Sequence, residues 1–309
     1  KPAEIVFTSG GTEANHLALA GIEGRRLLVS AIEHDSVREA APGAAIIPVT
    51  SAGMVDLTAL EAMLAADPRP ALVSLMLANN ETGVIQPVRA AIDIAHRHGA
   101  LLHCDAIQAA GKIAVDIGAL GCDLLSLSAH KLGGPQGVGA LFVAESIHLT
   151  PVQRGGGQER GRRAGTENLP GIAGFGAAAL AARDLVAAAG IAALRDEAEA
   201  RLLAVAPDAR VFGAEAARLP NTLCIGMPGV AASTQVMALD LGGVMVSAGA
   251  ACSSGKVRPS RVLAAMGASA EDSGSAIRIS LGWSTTGDDI DRLVDAWSAL
   301  YRRTREQAA

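Results

Sequence analysis

The chain reads as an α/β protein: a large domain on a mostly parallel central sheet covered by helices, then a smaller α+β C-terminal domain. Short apolar runs alternate with amphipathic helical stretches through the first half. Those runs are continuous rather than alternating with polar residues, as in strands buried on both faces. Beyond a long alanine-rich helical region, strands and helices resume in a shorter series. These three observations place a large domain at residues 1–187 and a small one at 188–309.

"EIVFTSG" reads as the first strand and "TEANHLALAG" as its helix. "RLLVSAI" and "AAIIPVT" follow as strands, with the short helix "DSVREA" between them. "DLTALEAMLA" is a helix capped by its leading aspartate. "ALVSLMLANN" is a buried strand, and "PVRAAIDIAHRHG" a helix opened by Pro87 and closed by Gly99. "ALLHCD", "DLLSLSAH" and "GALFVAE" finish the sheet. After "GGGQERGRRAGT", one helical region is expected from about Asn168 to Ala206. The small domain then reads strand "NTLCIGM", helix "STQVMALDL", strand "GVMVSAG", the cysteine segment "SAGAACSSGKVRPS", helix "SRVLAAMG", strand "AIRISLGW" and a final amphipathic helix.

Composition narrows the function. The 309 residues are 50% hydrophobic and 18% charged, too apolar for disorder. A net charge of −5, with "QERGRR" as the one short basic block, argues against nucleic acid as a partner. No apolar run reaches the ~18 residues of a membrane span, so a cytoplasmic protein is expected. Cys104, Cys122, Cys224 and Cys252 are dispersed without CxxC pairing, which argues against a disulfide framework or a metal site. The sequence opens "KPAEIVFTSG", without Met and almost directly into a strand; a segment preceding it is expected.

In parallel sheets, ligands bind beyond the carboxyl ends of the strands. Here those ends carry "TSGGTEAN", "IEH", "NNETG", "HCDAIQ" and "SAHK". "SGGTEAN" suits a phosphate through backbone N–H groups and the Thr12 hydroxyl at a helix start, and equally a tight turn with Thr12 as cap. Asp105, ending a buried strand, calls for a cation or several donors; a protonated ring nitrogen or a helix cap meets that need. Lys131, leaving an apolar strand into glycine turns, is a Schiff-base candidate if burial strips its solvent, and otherwise a solvated loop lysine. His34 is a stacking partner or a structural histidine. Phosphate donors, a carboxylate, a flat ring and a lysine together are what pyridoxal 5'-phosphate requires.

The runs "EIVFTSGGTEANHLAL", "EHDSV", "NNETGVIQP", "HCDAIQAAGK", "DLLSLSAHKLGGPQGVGAL", "GGGQERGRRAGTEN", "SAGAACSSGKVRPSRVLAAMG" and "SAIRISLGWSTT" resemble, in order and spacing, those of cysteine desulfurases of the NifS/IscS-like group. That group lies within the class V aminotransferase superfamily of fold-type I pyridoxal-phosphate enzymes. The resemblance covers essentially the whole chain. It implies that Lys131 bonds the cofactor, Asp105 pairs with its ring nitrogen, His34 stacks on the ring and Gln108 reaches its phenolic oxygen. It implies further that Gly11, Thr12, Ser128 and His130 hold the phosphate, joined in a homodimer by Thr166 of the partner subunit. Asn80 and Arg278 would bind the substrate, and Cys252 would take sulfur from L-cysteine as a persulfide, releasing L-alanine. His34 would assist proton transfer.

The length of "SAGAACSSGKVRPS" resembles the long-loop members, whose sulfur passes to acceptor or scaffold proteins for iron–sulfur or thiolation chemistry. Members of the group begin some tens of residues earlier, with a stretch near the substrate. A selenocysteine lyase, another class V aminotransferase, or a non-enzymatic interaction protein on this fold are the alternatives. A cysteine at position 252 distinguishes the desulfurase from an aminotransferase, which has no use for it. Cys104, Cys122 and Cys224 are expected to serve packing.

Overall fold

The computed structural model describes residues 1–186, 190–248 and 259–308. The chain divides into two compact units. One comprises Lys1–Val49, Val55–Asn79 and Gln86–Ala187; the other comprises Thr50–Met54, Asn80–Ile85 and Ala188–Ala309. A single cut after residue 187 is therefore corrected in one respect: two short early segments belong with the second unit. Backbone pairing explains the second of them. Ile85 N–H donates to the Ala217 carbonyl and Leu219 N–H to the Gly83 carbonyl, each at 2.8 Å. Gly83 sits at φ +75°, and a Cβ there would fall 2.9 Å from Cβ of Thr222, so only glycine fits.

The first unit runs β1 (Ile5–Thr8), α1 (Gly11–Ala20), β2 (Arg26–Ser30), α2 (Asp35–Arg38), β3 (Ala45–Ile47), α3 (Leu57–Ala66) and β4 (Ala71–Met76). It continues with α4 (Val88–Arg97), β5 (Leu101–Asp105), α5 (Ile117–Leu120), β6 (Leu124–Ser128), β7 (Gly139–Val143) and α6 (Leu169–Val186). Its seven strands form one sheet in the order β1-β7-β6-β5-β4-β2-β3. Strand β7 is antiparallel to both β1 and β6, and the remaining pairs are parallel. Six strands thus point one way, and β1, β2, β4, β5 and β6 all deliver their carboxyl ends to one edge.

Side-chain alternation sends neighbouring residues to opposite faces. Val6, Leu141 and Val143 pack with Ala14, Leu17 and Ala18 of α1. Ile5, Phe7 and Ala140 lie instead with Ile172 and Phe175 of α6. Helices therefore cover both faces, as the continuous apolar strands require. The Asp56 carboxylate caps α3 by accepting from Ala59 N–H at 3.0 Å.

The alanine-rich stretch forms two helices rather than one: α6, and α7 (Ile191–Val205) with Gly190 at its N-cap. The second unit continues with β8 (Arg210–Val211), β9 (Thr222–Gly226), α8 (Ala232–Leu241), β10 (Ser247–Ala248), α9 (Arg261–Ala265), α10 (Ala270–Ser275), β11 (Ala276–Ser280) and α11 (Gly287–Ala308). Among the described residues its four strands are all antiparallel, in the order β10-β11-β9-β8. Fully buried Trp297 of α11 lies in the core with Ile225, Leu239 and Ile277, and its indole N–H donates to Oε1 of Gln235 at 3.3 Å. Among the described residues, no helix is long and apolar enough to cross a membrane.

Candidate functional site

Asp105 ends β5 with 5% of its surface exposed. Its Oδ1 accepts from Ile107 N–H at 2.9 Å and its Oδ2 from the Asn15 amide at 2.8 Å. Burial pushes its carboxyl above the usual range, against the pull of these hydrogen bonds and of His34. The same Asn15 amide donates to the Ser36 hydroxyl at 2.9 Å, and that hydroxyl lies 2.8 Å from Nδ1 of His34. Nδ1 also accepts from Ser36 N–H at 3.1 Å, which makes His34 the cap of α2. A nitrogen that accepts a backbone N–H carries no proton, so the His34 proton sits on Nε2. One chain of hydrogen bonds thus runs from β5 through α1 to the end of β2. Asn15 and Ser36 were not singled out in the sequence, although both lie inside quoted runs, "TEAN" and "EHDSV".

Gly11 opens α1 pressed against the next strand ends: a Cβ on it would fall 2.3 Å from Cδ1 of Ile107 and 3.2 Å from Cβ of Ser128. The N-cap is Gly10, which supplies no side-chain oxygen to the first turn. Thr12 lies inside the helix and is exposed, which removes its reading as the cap. Ser128 ends β6, and its hydroxyl lies 3.0 Å from Nδ1 of His130. His130 and Lys131 occupy a short 3-10 turn, Ala129–Lys131, and both are exposed. Of the two readings of Lys131 left open by the sequence, the exposed one describes this chain, and the glycines that follow bring no side chains to cover it. Partial desolvation of the largely exposed ring, then the Lys131 ammonium, hold the His130 pKa down.

Gln108 is half-buried, and its Oε1 accepts from the Lys112 ammonium at 2.7 Å. A cation on the oxygen fixes the amide, so its N–H₂ side is the donor left for a ligand. Exposed Thr166 helps line a cavity of about 130 Å³ with Thr8, Ser9, Arg163 and Asn168. Arg163 in turn is paired with Glu13 of α1 at 2.7 Å. Asp105, His34 and the first turn of α1 do not line this cavity.

Asn80 and Arg278 belong to the second unit, where the guanidinium donates to the Asn80 carbonyl at 2.9 Å and to the Ser247 hydroxyl at 3.4 Å. Its Nε is buried without a partner among the described residues, an oriented donor suited to an anion. Glu81 beside Asn80 accepts from the Ser260 hydroxyl at 2.5 Å, and burial pushes its carboxyl up to about 7 against the pull of Ser260 and Arg278. Cys252 lies outside the described residues. Cys104, Cys122 and Cys224 are buried free thiols. Burial pushes the Cys122 thiol up to about 12 and raises the other two as well, so none of the three is poised as a thiolate.

The donor set fits pyridoxal phosphate. Asp105 is buried, hydrogen-bonded by neutral groups, and makes no ion pair with Lys or Arg among the described residues, which leaves room for a protonated ring nitrogen. The first turn of α1, with Gly11 and Ser128 in close approach, suits a phosphate. Comparison with known proteins agrees. Residues 1–293 match the aminotransferase class-V family. A cysteine desulfurase of Cereibacter sphaeroides is 45% identical over 98% of this chain and 81% of its own length. A NifS-like protein of Rickettsia africae ESF-5 superposes with a TM-score of 0.90 at 37% identity, over 97% of this chain and 82% of that one. SspA, solved in complex with cysteine, superposes with a TM-score of 0.74 at 29% identity, over 91% and 82% of the two chains. The chain belongs to the class-V aminotransferase family, among its pyridoxal-phosphate-dependent cysteine desulfurases.

Proposed function

We propose that the protein converts L-cysteine to L-alanine and collects the sulfur on Cys252 as a persulfide, for delivery to a docking acceptor protein in the cytoplasm. The observation that carries this reading is the buried carboxylate of Asp105, held by Asn15 and Ile107 and tied through Ser36 to His34. When bound, pyridoxal phosphate supplies an electron sink at the substrate's α-carbon.

The chain's own residues do the rest. Asp105 keeps its charge for the ring nitrogen, His34 stacks on the ring, and Gln108 donates to the phenolic oxygen. Gly11, Thr12, Ser128 and His130 hold the phosphate, completed in a homodimer by Thr166 of the partner subunit. Asn80 and Arg278 orient the substrate carboxylate. Lys131 anchors the cofactor and moves the proton at the α-carbon, and His34 has its Nε2 proton to lend. The Cys252 thiolate attacks the substrate sulfur: a sulfur–sulfur bond forms, the carbon–sulfur bond breaks, and the bonding pair remains with the carbon fragment. That fragment takes a proton and leaves as alanine.

Incubation with L-cysteine tests this, scoring alanine and protein persulfide. Cys252→Ser is expected to lose at least about a hundredfold in alanine formation, with no persulfide. Undiminished alanine in that variant would overturn the role of Cys252.

A further inference from the structure

Three residues beyond the end of β2 lies a second buried carboxyl that the proposed chemistry does not use. Glu33 is 4% exposed. Its Oε1 accepts from Met76 N–H and from the Ser30 hydroxyl, both at 2.8 Å, while its Oε2 is buried with no partner among the described residues. Met76 is the register partner of Asp105 across β4 and β5. Besides those two hydrogen bonds, the groups that act on Glu33 are Asp105 and Arg38 of α2, and Glu33 acts in turn on the Cys104 thiol of β5. Two carboxyls in one low-dielectric region do not both ionise readily. Asp105 has a donor on each oxygen and the field of His34; Glu33 has donors on one oxygen only. The charge therefore belongs to Asp105.

We propose that Glu33 is held as a neutral carboxylic acid against the strand beside Asp105, a positioning residue that leaves Asp105 as the single negative charge offered to the cofactor's ring nitrogen. This rests on the role proposed for Asp105. Burial, then the negative field of Asp105, push the Glu33 carboxyl up to about 8, against Met76 N–H, the Ser30 hydroxyl and Arg38. Glu33 is accordingly neutral through neutral pH, and a second charge appears beside Asp105 above about 8.

The test compares wild type with Glu33→Gln, a neutral isostere whose oxygen accepts the same two hydrogen bonds. The Kd for pyridoxal phosphate is measured by absorbance titration without L-cysteine from pH 6 to 9, beside the urea unfolding of each apoprotein. The two Kd values are expected to agree within about threefold up to pH 7 and to diverge about tenfold by pH 9. A gap above about tenfold at pH 7, a ratio constant across the range, or a Glu33→Gln chain that fails to fold overturns the inference alone. Wild type that binds no pyridoxal phosphate overturns the proposed function, and this inference with it.

Discussion

Asn15 serves two acceptors with one amide, and its position on α1 sets what Asp105 and His34 can do. Asn15→Leu leaves Oδ2 of Asp105 and the Ser36 hydroxyl without their donor. That loss is expected to cost the apoprotein about 1–3 kcal/mol in urea unfolding. It is also expected to weaken pyridoxal phosphate binding about tenfold, read by absorbance titration; unchanged stability and affinity would deny Asn15 this part. At this scale the sequence showed the residues that stand at strand ends, His34, Asp105 and Ser128, because a polar side chain after an apolar run announces itself. Asn15 makes no such announcement, and Glu33, though it stands in the strand end "IEH", gives no sign there of its burial. A helical amide is ordinarily solvated, and the Asn15–Asp105 bond joins residues ninety positions apart. Lys131 shows the converse: its place was legible, but its exposure depended on the bare glycine loop around it.

Strands β4, β5 and β6 are joined by more than their backbones. Fully buried His103 on β5 lies 2.9 Å from the Ser74 hydroxyl of β4 through Nδ1 and 2.8 Å from the Ser126 hydroxyl of β6 through Nε2. Burial pushes its pKa down to about 3. A lowered folded value means that the neutral ring's stability is fully present above about 6.5 and is lost as pH falls toward 3. Over that window wild type is expected to lose a few kcal/mol that His103→Asn does not lose. Unfolding free energies between pH 7 and 4 check this, and parallel slopes would refute it.

Glycine has its own part at this scale. A Cβ on Gly139 of β7 would fall 2.5 Å from the carbonyl carbon of Gly10, so that glycine lets the turn after β1 lie flat against the neighbouring strand. The elements of the first unit were largely legible, because buried strands and amphipathic helices carry opposite periodicities. "GVMVSAG" was less so: among the described residues, pairing there covers only Ser247–Ala248, and Met245 is 88% exposed. An apolar run does not by itself find a partner strand.

The whole molecule gathers its proposed cofactor residues on the sheet edge of one unit and places Asn80 and Arg278 in the other. A ligand that binds only the folded chain stabilises it by mass action. Pyridoxal phosphate at a hundredfold excess over its Kd is expected to add about 2.7 kcal/mol. Calorimetry should show Tm rising with cofactor concentration, and a Tm indifferent to it would count against the site. The change of pattern after the alanine-rich helices made the division into two units readable, yet not the early segments that cross it. Asn80–Ile85 lies inside a quoted run, yet its membership of the second unit is decided by pairing with Ala217 and Leu219 far along the chain, which no local pattern shows.

That crossing has a consequence for biosynthesis. Val84 bridges Arg218, and its neighbours pair with Ala217 and Leu219, so these residues leave the ribosome well before their partners exist. The second unit cannot close co-translationally around its own amino-terminal part. It must wait until residues 217–219 have been made, so this long-range pairing forms late.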